Sequence, residues 1–86
     1  MQKTRKRRTN LEICIAVLEA SMEKSRRTSI AERTGLNFKY ASKYVNSLHA
    51  HKFLMKSRDN RFTTTKTGEE FLEDCRRINH ITGNIY

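Results

Sequence analysis

Apolar positions in this 86-residue chain recur with a helical period in four stretches and alternate in one short region. Leu11, Cys14, Ile15, Leu18 and Met22 return every three or four residues, a helical stripe that Ile13 and Val17 widen. Thr9 and Glu12 stand at capping-box spacing ahead of that stripe, so the first helix is expected to begin at Thr9. Glu23 to Thr28 (EKSRRT) is polar, basic and aperiodic, and reads as a loop. Ser29 and Glu32 repeat the capping-box spacing, which predicts a short second helix with Ile30, Ala31 and Leu36 facing inward. Thr34-Gly35 closes it, because glycine accepts the left-handed conformation in which many helices end. Leu36 then fills the corner, and Asn37 is a good N-cap for a third helix.

That third helix, residues 37–51, separates into two faces on a helical wheel. Ala41, Val45, Leu48 and Phe38 gather on one side and are expected to face the core. Lys39, Tyr40, Lys43, Asn46, Ser47 and Ala50 gather on the other, and no Asp or Glu occurs anywhere in the helix. An ordinary solvated helix face mixes signs of charge to gain i,i+4 pairs. An outer face of lysine, amide and hydroxyl groups without carboxylates suits phosphates and base edges instead.

Downstream, Phe53–Arg58 and Arg61–Thr65 are β-prone runs on either side of Asp59-Asn60, a pair suited to a tight hairpin turn. Leu54 and Phe62 are expected inward, with Lys56, Arg58 and Arg61 outward at the tip. Thr65 caps a last helix whose first turn carries Glu69 and Glu70. In it Phe71, Cys75 and Ile78 follow a 4,3 spacing that Thr82 and Ile85 continue, although Gly83-Asn84 is expected to end the helix before a second heptad is complete. The expected fold is mainly α with a small β-hairpin: a winged helix-turn-helix with a three-helix core, a wing over 54–65 and a C-terminal helix. The segments are a disordered basic arm (1–8), the winged helix-turn-helix (9–65) and the last helix (66–86).

Charge sharpens this picture. The chain carries +9, and its distribution is uneven. Residues 1–8 hold Lys3, Arg5, Lys6, Arg7 and Arg8 with no acid; residues 24–66 hold eleven basic residues against Glu32 and Asp59. Residues 9–23 and 67–86 are mildly acidic. One-signed charge concentrated in the arm and the central block is what a polyanion partner requires, since each neutralised phosphate releases counterions. Arg26 and Arg27, just ahead of the second helix, are either a phosphate clamp or ordinary solvated loop. With 36% apolar residues the core is lean, and pairing of two copies through Phe71, Cys75, Ile78 and Ile85 is expected to add burial; packing of the last helix on the first is the simpler alternative. No apolar run approaches the ~20 residues of a membrane span, and no apolar segment follows the N-terminal basic residues, so a cytoplasmic protein is expected.

Catalytic and metal chemistry find little support. His49 and His51 point about 200° apart on a helix, which is wrong for sharing a metal. Cys14 and Cys75 both occupy apolar helical positions and read as buried small hydrophobes, with a bridge between two packed helices as the alternative. No nucleophile–base set, paired-acid cleft or glycine-rich phosphate loop is recognisable. No enzyme activity, cofactor, metal or small-molecule ligand is implied.

Three segments together, LEICIAVLEA, IAERTGLNFKYASKYVNSL and TKTGEEFLEDCRRIN, resemble the archaeal 10a-type winged-helix DNA-binding proteins, small basic dimers discussed as chromatin-associated proteins or transcription regulators. The resemblance implies that helix 37–51 is a recognition helix for the major groove of double-stranded DNA. By the resemblance Lys39, Tyr40, Lys43 and Asn46 then face DNA and Arg58 and Arg61 carry the wing contact; Asn37 and Ser47 on the same helix and Lys56 on the wing are added as candidates from their own positions. In that family a longer last helix forms an antiparallel coiled coil; here only a stub is expected after the Gly-Asn break. A winged helix that docks on a protein complex of the transcription machinery is the competing class, because fold alone does not decide function.

Overall fold

The structure, a computed structural model, describes residues 8–85, with side chains described as far as Gly83. The arm residues Lys3, Arg5, Lys6 and Arg7 lie outside the described residues, as does the side chain of Ile85. In chain order the elements are α1 (Asn10–Ala20), β1 (Ser25–Arg26), α2 (Arg27–Thr34), α3 (Phe38–Ala50), β2 (Leu54–Lys56), β3 (Arg61–Thr64) and α4 (Lys66–Ile85). Three helices and an antiparallel sheet of order β1-β3-β2 enclose one core, and α4 lies mainly along α1. No helix among the described residues is long and apolar enough to cross a membrane.

The expected caps of α1, α3 and α4 form. Thr9 Oγ1 accepts from the Glu12 amide at 3.1 Å while Glu12 Oε1 accepts from the Thr9 amide at 2.9 Å, completing the box at the start of α1. Asn37 Oδ1 accepts from the Tyr40 amide at 2.8 Å, and Thr65 Oγ1 from the Gly68 amide at 2.9 Å. Gly35, at φ 75°, turns the chain out of α2, and the Leu36 amide then donates back to the Ala31 carbonyl at 3.1 Å. The end of α3 makes the same closure with a lysine: Lys52 sits at φ 66°, and the Phe53 amide donates to the Leu48 carbonyl at 2.9 Å.

Four local expectations are corrected. The segment 23–28 is not all loop: Ser25 and Arg26 form β1, aligned with Phe62 and Arg61 of β3. Consequently α2 starts at Arg27 rather than at a Ser29 cap; Ser29 lies inside the helix, and its N-cap, Arg26, makes no side-chain cap bond. The wing turn spans three residues, Arg58–Asn60, with Asn60 left-handed at φ 64° and the Asn60 amide donating to the Ser57 carbonyl. Finally, Gly83-Asn84 does not end α4, which runs on to Ile85.

The core gathers Ile13, Val17, Leu18, Ile30, Val45, Leu48, Leu54, Phe62 and Leu72. On α1 the residues expected merely to widen the stripe, Ile13 and Val17, are buried as fully as Leu18, whereas Met22 lies beyond the helix end and is exposed. Cys75 is buried by its own chain, and Cys14 is half-buried; both thiols are free. Burial pushes both up from the ordinary thiol value, which keeps them protonated and unreactive at neutral pH. Phe53 stacks between His51 and Phe71, with its ring centroid 4.2 Å from that of Phe71, and so joins the end of α3 to α4.

The start of α4 is seated on that joint. A Cβ at Gly68 would stand 2.1 Å from the Phe53 carbonyl oxygen, whereas one at Gly83 meets nothing within 4 Å. Alanine is favoured over glycine in a helix by ~1 kcal/mol, so the two positions separate propensity from space. Gly68→Ala is expected to destabilise the fold by about 1–3 kcal/mol through overpacking. Gly83→Ala is expected to be neutral or to stabilise by at most ~1 kcal/mol. Urea denaturation of both variants reads the difference in sign.

Candidate nucleic-acid interface

The outer face of α3 is free of the fold. Ala41, Val45 and Leu48 are buried against the core, and Asn37, Lys39, Tyr40, Lys43, Asn46, Ser47 and Ala50 are all exposed. The five polar side chains expected on this helix, together with its N-cap Asn37, therefore share one surface. Phe38 departs from expectation: it is 51% exposed rather than packed inward. As the first residue of the helix it sits one turn ahead of Ala41, and helical side chains lean toward the N-terminus, past the end of the core.

A groove runs along each flank of α3. On one side Asn10, Tyr40, Lys43, Tyr44 and Ser47 line a concavity of about 370 Å³. There the Tyr40 and Tyr44 rings meet edge to face at 5.4 Å, and the Tyr44 hydroxyl donates to Asn10 Oδ1. On the other side Arg26, Arg27, Thr28, Phe38, Lys56 and Asn60 line a cleft of about 300 Å³ between α3, the start of α2 and the wing. The structure thus brings Arg26 and Arg27 to the same cleft as Lys56 of the wing.

The two arginines do different work. Arg26 is exposed; it donates to the Asp59 carbonyl across the wing turn at 3.3 Å and stands opposite Arg61 in the sheet. Like charges directly across a strand pair repel, and here Asp59 offsets them, its Oδ2 3.2 Å from Arg61 Nε. The Ser57 hydroxyl donates to Asp59 and holds its carboxyl below the usual carboxylate range. Arg27 is partly buried: its guanidinium carbon lies 4.9 Å from the Phe62 ring centroid, and Nη1 approaches the Ser42 carbonyl at 3.5 Å. Arg27 thus ties β3 to the middle of α3, and His49 closes on the same ring edge-on at 5.8 Å. Lys56 and Arg58 are exposed at the wing, and Arg61 is half-exposed.

Arg8, expected within the arm, is held at the turn between α2 and α3, where it donates to the Thr34 carbonyl. A cation at a helix C-terminus satisfies a carbonyl left without a partner and favours the helix dipole. This seats the chain entering from the arm beside Gly35 and Tyr40, in a concavity that Asn10, Ile13 and Leu36 complete.

Among the residues expected to pair two copies, Cys75 is covered within the protomer and Phe71 is half-buried against Phe53. The four-residue step from Phe71 to Cys75 therefore serves packing within the protomer. Ile78 and, one turn on, Ile81 are exposed at 50% and 52%. Ile81 belonged to no expected site; its place three residues after Ile78 was the available signal.

With this geometry in view, the chain belongs to the winged helix-turn-helix family, whose model matches residues 7–83. Its fold is similar to that of Sso10a-2, a DNA-binding protein from Sulfolobus solfataricus, with a TM-score of 0.83 over 92% of this chain and 86% of that one, at 23% identity. In fold it therefore agrees with the archaeal 10a-type proteins that its motifs resemble. It is also similar to part of full-length CbnR, solved in complex with its target DNA: a TM-score of 0.60 and 28% identity over 86% of this chain and 25% of that one. No match was found among curated proteins.

The contrast between the arginines gives a test. Arg27→Ala removes a partly desolvated cation–π contact and is expected to cost about 1–2 kcal/mol of stability. Arg26→Ala, at an exposed position, is expected to stay within about 0.5 kcal/mol of the parent. Chemical denaturation of the two single variants checks the order.

Proposed function

We propose that the chain is a double-stranded DNA-binding protein that serves as a transcription regulator or chromatin-associated protein. The observation that carries this reading is the exposed, carboxylate-free face of α3, with Lys39, Lys43 and Asn46 at its centre. In this reading α3 lies in the major groove, Lys56, Arg58 and Arg61 of the wing meet the backbone, and the basic arm adds phosphate contacts. Exposed lysines on α3 neutralise phosphates well, but the helix has no arginine for a bidentate guanine contact. Affinity therefore rests largely on the backbone. If each subunit neutralises ~5 phosphates, log K is expected to fall against log salt with a slope of about −4 to −5 per subunit. Lys39→Glu with Lys43→Glu is expected to abolish binding at moderate salt, as read by fluorescence anisotropy. A flat salt response would sink the proposal.

Pairing of two copies belongs to the same reading. Ile78 and Ile81 form an apolar strip on α4 that the described residues leave half-exposed, and a second copy of the same strip suits it by two-fold symmetry. Ile78→Glu is expected to shift the protein from dimer to monomer in sedimentation equilibrium without unfolding it. A parent chain that is already monomeric at the concentrations that bind DNA would remove pairing from the reading.

A further inference from the structure

The position of Phe38 points to a role that the charges around it do not fill. Its ring is half-exposed in a cleft whose other lining residues are Arg26, Arg27, Thr28, Lys56 and Asn60, with no carboxylate among them. A cleft ringed by cations is where a phosphate backbone would approach. Among its lining residues, however, stands a large apolar side chain on the first residue of α3, directly after the N-cap. The N-terminal residues of a recognition helix are those that reach base edges in the major groove. The one apolar feature that base pairs present there is the C5-methyl group of thymine, for which phenylalanine is a suitable contact.

We infer that Phe38 is a specificity-determining residue that packs on thymine methyl groups, so that this protein prefers thymine at the position facing the start of α3. The inference rests on the DNA-binding reading above and deepens it. It supplies a source of base preference that needs neither arginine nor hydrogen bonding from α3. It also assigns separate duties within one cleft: Arg26 and Lys56 hold the backbone on either side, and Phe38 reads between them. Arg27 is already committed to the Phe62 ring and fixes the wall of the cleft.

The test removes the methyl groups and nothing else. Anisotropy titrations compare an alternating adenine–thymine duplex with the same duplex carrying deoxyuridine in place of every thymine, at one fixed salt concentration. The parent protein is expected to bind the thymine duplex about fourfold more tightly for each methyl contacted, the ratio corresponding to the ~0.8 kcal/mol gained on burying a methylene-sized group. In Phe38→Ala that ratio falls to one while the salt slope stays as in the parent, and Phe38→Leu restores part of it. Circular dichroism confirms that the variants fold, as replacement at a half-exposed position should allow. Tight but equal binding of both duplexes by the parent overturns the inference and leaves DNA binding standing. So does a ratio unchanged in Phe38→Ala. Failure of the parent to bind either duplex overturns the inference together with the DNA reading on which it rests.

Discussion

The rest of the structure depends on how the C-terminal end of α1 is satisfied. A helix leaves its last carbonyls without intrahelical partners, and here Val17, Leu18 and Ser21 at that end are fully buried while Ala20 is partly so. Val17 O accepts from the Ser21 hydroxyl at 2.8 Å, Leu18 O from the Thr64 hydroxyl at 2.8 Å, and Ala20 O from Arg33 Nη1 at 3.0 Å. Ser21 O then accepts from the Thr64 amide at 2.8 Å. Buried carbonyls left unpaired cost about 1–3 kcal/mol each. Meeting that need draws β3 through Thr64 and α2 through Arg33 to one point. Ser25 of β1 joins them, its hydroxyl accepting from Arg33 at 3.3 Å. The wing and the helix-turn-helix are thereby held in one orientation, and both flanks of α3 inherit their shape from it.

From that point outward the molecule divides its side chains by task. Arg27 and His49 face the Phe62 ring, and Arg8 closes the end of α2. These cationic or ionisable groups brace the scaffold. Lys39, Lys43, Lys56 and Arg58 are left exposed. A count of positive charges treats the two groups alike; only their contacts distinguish them. The Arg76–Glu19 pair at 2.8 Å, between α4 and α1, is likewise structural and, being exposed, worth at most ~1 kcal/mol.

Where a feature was local, it was legible in the sequence. The Thr9 box, the Gly35 turn, the caps at Asn37 and Thr65 and the two faces of α3 each follow from residues within one or two turns of one another. Features made by distant partners were hidden. Ser25-Arg26 has no strand period of its own and becomes β1 only because β3, over thirty positions later, offers it a ladder. That pairing starts α2 three residues early, capped at Arg26 rather than Ser29, and turns the Ser29–Glu32 spacing into a coincidence. The wheel sets Phe38 on the core-facing side but ignores where a core ends along the helix axis, so it misses an exposed aromatic beside the basic residues. The spacing of Phe71, Cys75 and Ile78 is the same whether a helix packs on its own chain or on another, so sequence alone left that choice open. Gly83 permits a helix end without compelling one.

Gly68 has a consequence at the far end of the molecule. Without a side chain there, the first turn of α4 rests directly on the carbonyl of Phe53, and the take-off angle of the helix is set by backbone against backbone. A helix of 20 residues is about 30 Å long, so it works as a lever. A tilt of ~10° at its root swings its tip by about 5 Å, more than one residue's rise. The direction of the exposed Ile78 and Ile81 is therefore set at the root of the helix, where a single absent methyl group lets backbone meet backbone.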